Sequence, residues 1–160
     1  MTTDRKLLIF GGLLLAAFGM IYGLHYALFI EHQTLDGMGA SLTQAFAHAA
    51  GRDLPQSHDA IATYAKEKYA YVRQVDVHSH WIGLAMLLIL FGVVFAKLAF
   101  SPRTRLWIAI AFLVGSIIFP LGVLLQTLMS GPLPSALAIA GSALLIISLS
   151  LIAWGFARAA

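Results

Sequence analysis

Four long apolar stretches decide what this chain can fold into. They occupy residues 7–30, 81–100, 106–129 and 133–156. Each matches the roughly 20 apolar residues that a helix needs to cross a bilayer core. Inside lipid a backbone must satisfy its own hydrogen bonds, so such segments form helices. Composition agrees, since 60% of the residues are hydrophobic and 11% charged, the balance of a membrane protein. The expected fold is therefore an all-α membrane protein, a four-transmembrane-helix bundle with a helical extracytoplasmic loop. Taken as one membrane domain over 1–160, it has spans at 7–30, 79–100, 106–129 and 133–156, with an outer helical lid over 31–78. Arg5 and Lys6 before an apolar run resemble the start of a signal peptide. The run is too long for a signal core, and no small-x-small cleavage site follows it cleanly. The first stretch is expected to be a retained helix.

The basic residues set an orientation. Arg5, Lys6, Lys97, Arg103, Arg105 and Arg158 flank the spans on one side, opposed only by Asp4. The 31–78 loop holds Arg52, Lys66, Lys68 and Arg73 against Glu31, Asp36, Asp53, Asp59, Glu67 and Asp76. Cytoplasmic loops are enriched in Lys and Arg. Both termini are thus expected in the cytoplasm of an inner (cytoplasmic) membrane, with the loop extracytoplasmic. The net charge of +3 follows from this topology. No basic patch interleaved with aromatics points to nucleic acid.

The loop has helical periodicity of its own. Leu35, Met38, Leu42, Phe46 and Ala49 recur at helix spacing, which predicts a helix over 35–50. Gly51 and Pro55 mark its end. Ser57 or Asp59 can cap a second helix running to about residue 74. Leu42 and Phe46 are expected to turn toward the membrane or the site. Within the spans, Gly12, Ala16, Gly19 and Gly23 form a smooth stripe, as do Gly141, Ser148 and Gly155. Such stripes let helices approach closely. Pro120, between Gly115 and Gly122, predicts a kink.

The chemistry lies in the histidines. All six fall between residues 25 and 80. Imidazole is a common metal ligand, and a histidine in or beside a span is costly without a partner. His25 lies about 200° round the helix from Gly23, away from the stripe, on a face with Phe18, Tyr22, Phe29 and His32. His78 and His80 are two apart, so in a helix they point in nearly opposite directions, one toward the bundle and one toward the lid. Asp76 stands four before His80 and can accept its ring N–H. Gly83, three after His80, leaves room for a flat group. His48 and His58 sit in polar stretches and are weaker candidates.

Three chemistries fit these positions. A haem b can be clamped by two imidazoles, best by His25 and His80, with His78 and His32 as alternates. Arg73 or the loop tyrosines can then meet the propionates. With no cysteine in the chain, thioether attachment and thiolate metal sites are excluded. A copper or another divalent metal ion can instead be held by imidazoles of His25, His32, His78 and His80, which suit several metals alike. Without a cofactor, the same histidines hydrogen-bond carbonyls or interfacial water.

Val77-His78-Ser79-His80-Trp81-Ile82-Gly83 resembles the helix entry that carries haem-ligating histidines in the haem–copper oxidase and nitric oxide reductase superfamily and in small four-helix membrane cytochromes b. The resemblance covers about eight residues. It implies a haem b ligand at His78 or His80. Four spans do not make the twelve-helix catalytic core, so oxygen chemistry and proton pumping are not implied. No hydrolase, phosphate-binding or nucleotide motif is present. Gln126 and Thr127, near the outer end of the third span, can bond a cofactor or a quinol headgroup, or simply cap the span. The expected function is electron relay by a non-covalent haem b, to or from a quinol or an extracytoplasmic redox protein. The alternatives are a copper- or metal-binding membrane protein, and an accessory or assembly subunit of a larger respiratory complex that packs through its small-residue stripes. A homo-oligomer is compatible with each.

Overall fold

The computed structural model describes residues 1–129 and 131–159. Five α-helices follow one another: α1 (Thr3–Phe29), α2 (Glu31–Ala50), α3 (Leu54–Val94), α4 (Pro102–Leu128) and α5 (Pro132–Ala157). A short 3-10 turn, Phe95–Lys97, follows α3. Among the described residues there is no strand. Four of the helices, all but α2, are long and apolar enough to cross a membrane. The chain divides into two compact units, one formed by 1–21 and 76–160, the other by 22–75.

In the first unit, α1, the second half of α3, α4 and α5 pack through small residues. A Cβ on Gly12 would stand 2.9 Å from the Ala85 carbonyl oxygen, and one on Gly19 would stand 3.2 Å from the Trp81 Cβ. The α1 stripe therefore seats α3. The α4–α5 contact is tighter still. A Cβ on Gly122 would come within 2.4 Å of the Ala138 nitrogen, and one on Gly141 within 2.4 Å of the Phe119 nitrogen. Leu8, Val77, Ala85, Leu88, Phe95, Ala109 and Phe112 are fully or almost fully buried between these helices. Pro120 is also buried, and α4 continues through it to Leu128. Ser101 caps α4 by accepting from the Thr104 N–H at 3.2 Å, with Pro102 at the first helical position, where a missing N–H costs nothing.

One end of this unit carries a charged clamp. Arg5 donates to the carbonyls of Gly92 and Val93, each at 3.1 Å, which are among the orphan acceptors that end α3. Arg105 donates to Ala96 O at 2.9 Å and pairs with the buried Asp4 carboxylate at 3.2 Å. Four turns are thereby tied by three side chains.

In the second unit, α2 and the first half of α3 form an antiparallel pair. Its seam is made of small and polar residues. Ser57 donates to Ala45 O at 3.0 Å, Ser41 donates to Glu67 Oε2 at 2.8 Å, and Ala45 and Ala60 are buried. Residues 35–50 and 57–74 are helical, as their spacing predicts. The second segment is not a separate helix, however: it is the first half of α3, which runs unbroken for 41 residues. Ser57 does not cap it; the Asp53 carboxylate accepts from the Gln56 N–H at 3.3 Å instead, and Pro55 sits in the first turn. Leu42 and Phe46 are 38% and 69% exposed, so they do not pack into the α2–α3 seam. The α2 helix ends at Ala50, as Gly51 suggests, yet Arg52 takes the left-handed backbone at φ 60° while Gly51 stays at −75°.

Candidate functional site

The segment 76–83 of α3 carries the two best-held histidines. His80 Nδ1 lies 2.6 Å from the backbone carbonyl oxygen of Asp76. His78 Nδ1 lies 2.9 Å from the carbonyl oxygen of Gly19 on α1. A carbonyl only accepts, so each Nδ1 carries the hydrogen and donates it. In a neutral imidazole Nε2 is then left with its lone pair. Metal-ligating histidines are oriented in the same way, with one ring N–H tied to a carbonyl or carboxylate. The sequence anticipated an Asp76 partner for His80, but the partner is the backbone oxygen and not the carboxylate.

The two rings find different neighbours, as their spacing requires. His78 reaches α1. His80 meets the ring of Phe119 on α4 edge-on, with centroids 4.8 Å apart and planes at 83°. Both histidines are half-buried, and both find these partners within the first unit, so neither is singled out for the loop. Gly83 has nothing within 4 Å of the place a Cβ would take, which leaves the space beyond His80 open. On its other side Phe119 helps line a cavity of about 520 Å³ between α4 and α5, together with Gln126, Ser135 and Ser142. Thr127, beside Gln126, donates to Leu124 O at 2.7 Å within its own helix.

The remaining histidines belong to the second unit. His25 is exposed, and its ring lies against Phe29 at 5.3 Å between centroids. His32 lies 3.6 Å from Asp36 one turn on, with both side chains largely in the open. His48 approaches Asp53 at 4.0 Å across the α2–α3 turn, and His58 is exposed. Arg73 stacks over Tyr69 at 5.1 Å. Among the described residues no group of three or more His, Asp or Glu side chains is placed to hold a metal ion. The four-histidine metal cluster thus draws no support from the arrangement.

Sequence reasoning missed the Gly19 carbonyl as the partner of His78. Gly19 was legible only as part of a packing stripe, although a glycine there is also what brings α3 close enough to reach that oxygen. The Asp4–Arg105 pair was missed as well, because a lone acid among basic residues reads as a topology signal.

The fold and site define a helical membrane protein with two oriented imidazoles on one of its spans. Comparison with protein-family models, curated proteins and solved structures finds no match.

Proposed function

We propose that this chain is a membrane-bound, non-covalent haem b protein that relays electrons, in which His80 would help to hold the haem. The observation that carries the reading is the fixed tautomer of His80. Its Nδ1–H is held by the Asp76 carbonyl, which makes Nε2 the free donor and raises its basicity toward a metal. The surroundings suit the group. Phe119 meets the ring edge-on, and nothing lies within 4 Å of the place a Cβ on Gly83 would take, so that position puts no side chain in the way of a flat macrocycle. A bound haem would supply reversible one-electron chemistry, tuned by its axial ligands and by burial. The protein's own part is to fix the ring of His80 and to shield one side of it with Phe119. A second imidazole would complete the site, and the substitution series below tells which histidine supplies it. The positive-inside asymmetry supports placing this end of the spans on the extracytoplasmic side of the inner membrane, where a quinol or a soluble redox protein can exchange electrons with it.

The test is a visible spectrum of the full chain purified from a haem-replete host. A Soret band is expected, lost in His80→Ala. In the series His25→Ala, His32→Ala and His78→Ala, the substitution that also removes or shifts the band identifies the second ligand. A colourless protein, or a band indifferent to His80, sinks the reading.

A further inference from the structure

We infer that two copies of this chain pair through one side of their α2–α3 hairpins, making a four-helix bundle. The inference rests on the second unit and is independent of haem.

The hairpin has two unlike sides. Its seam runs through Ser41, Ala45, Ser57 and Ala60, all buried. Counted round each helix from that seam at about 100° per residue, six apolar residues fall on one side. They are Leu35, Leu42 and Phe46 of α2 and Leu54, Ile61 and Val72 of α3. The helices run antiparallel, so residues that advance the same way round from the seam share a side of the pair. These six are 38–69% exposed. The opposite side is polar, and there Gln44, His48, Gln56, Asp59 and Thr63 line one depression. A contiguous exposed apolar surface rimmed by polar residues marks an interaction site.

The period of this side selects helices as its occupant. Leu35, Leu42 and Ala49 recur every seven residues, and so do Leu54, Ile61, Lys68 and Val75. A seven-residue repeat keeps one line of side chains facing a partner helix. Each helix thus carries two adjacent lines, one in the seam and one beside it, as a helix in a four-helix bundle does. The chain's own bilayer does not fit. Helix α3 runs unbroken from this side into a half that is apolar enough to span. An unbroken helix that enters a bilayer cannot also lie along its surface.

Charge selects a second copy. Among the described residues, the charged ones on the apolar side are Glu31 and Lys68, opposite in sign. Within the chain Glu31 accepts from the Tyr71 hydroxyl at 3.5 Å, and Lys68 lies over the Tyr64 ring at 5.9 Å. A two-fold axis parallel to the hairpins lays α2 of one copy against α3 of the other, antiparallel. Bonds across the hairpin give the levels: Glu31 stands opposite Tyr71, Ser41 opposite Glu67 and Ala45 opposite Ser57. Lys68 is three residues from Tyr71, less than one turn. Glu31 of each copy therefore meets Lys68 of the other within a turn. By the same levels Leu35 meets Val72, and Phe46 meets Ile61. The side is complementary to itself, as a two-fold contact requires. Chains inserted the same way in one membrane also present their hairpins parallel and at one height.

The test uses the full chain, whose lack of cysteine makes an introduced thiol unique. In proteoliposomes, Leu42→Cys should be joined to its like by a short bismaleimide. Thr63→Cys, on the polar side, should not. Light scattering in mild detergent should give a protein mass of twice the 17.2 kDa of one chain. Phe46→Asp/Ile61→Asp, at two exposed positions, should return the protein to single chains with unchanged helix content by circular dichroism. Glu31→Lys and Lys68→Glu should each weaken dimerisation about ten-fold, since two exposed pairs turn repulsive. Combined in one chain, the two reversals should restore it; if the aspartate variant misfolds, this charge swap decides. Single chains at every concentration overturn the proposal. So does a dimer indifferent to Phe46→Asp/Ile61→Asp, equal cross-linking at the two thiol positions, or a charge swap without rescue. Two other occupants would also overturn it. A monomer whose label on Leu42→Cys is quenched by brominated phosphatidylcholine would give this side to the bilayer. A monomer that binds a different protein through it would give it to that protein.

Discussion

At the scale of single residues, hydrogen bonds set orientation. His78 and His80 on α3 each give one ring nitrogen to a carbonyl and leave the other with its lone pair. The same logic, applied to charge, holds the opposite end of the first unit together. Asp4 and Arg105 are nearly buried, with side chains 5% and 13% exposed. Removing one partner of such a pair leaves a buried charge uncompensated, at a cost of about 3–5 kcal/mol. Asp4→Asn should therefore lower stability by several kcal/mol in chemical unfolding from mixed micelles. Pairing it with Arg105→Gln should recover part of the loss. A double variant no better than the single one would show that the carboxylate acts otherwise than through Arg105.

At the scale of helices, the membrane segments and the helicity of 35–50 and 57–74 were legible, while the seam between the polar helices and the continuity of α3 were not, for a physical reason. Apolar length signals a span because lipid leaves the backbone no alternative. The glycine stripes were legible too, since close approach of α1 to α3 and of α4 to α5 needs them. That use inside the chain weakens the idea that the stripes serve an external partner. In 31–78 the large apolar residues mark a helix but not its seam. Leu35, Leu42 and Phe46 have helix spacing yet stay exposed, while the seam is built from Gly37, Ser41, Ala45 and Ser57. Periodicity finds the apolar face; it does not find a seam of small residues. The unbroken α3 was hidden by a change of composition near Asp76. Composition does not end a helix, and no glycine or proline lies between Pro55 and Gly83. Of the candidate site, the identity of His78 and His80 was legible, but not their partners, one of which is 59 residues away.

Two glycine substitutions separate packing from propensity. Gly141→Ala puts a Cβ at 2.4 Å from the Phe119 nitrogen, so α4 and α5 must part; overpacking of this kind costs about 1–3 kcal/mol. Gly39→Ala, on α2 with nothing within 4 Å, should instead stabilise by about 0.5–1 kcal/mol through helix propensity. Unfolding midpoints moving in opposite directions would bear this out. Equal and opposite-signed results to those expected, or no difference, would mean that the α4–α5 contact yields freely.

At the scale of the whole chain, the length of α3 bears on topology. Its 41 residues make about 60 Å of helix, twice the roughly 30 Å of a hydrocarbon core. Half of it must lie outside the lipid, and the polar half is the one before Val77. The side on which it emerges is predicted from charge. Arg5 and Arg105 are engaged in the clamp, yet Lys6, Lys97, Arg103 and Arg158 remain exposed at the ends of α1, α3, α4 and α5 that connectivity places together. No acid other than the buried Asp4 offsets them, so the proposed topology, with that end in the cytoplasm, is the one the positive-inside rule predicts. The chain has no cysteine, so a single introduced thiol reports without background. Gln56→Cys, at an exposed position in the first turn of α3, should react with a membrane-impermeant maleimide added outside intact spheroplasts. Thr2→Cys should react only after the membrane is opened. The reverse pattern would turn the protein over, and would put His78 and His80 on the cytoplasmic side.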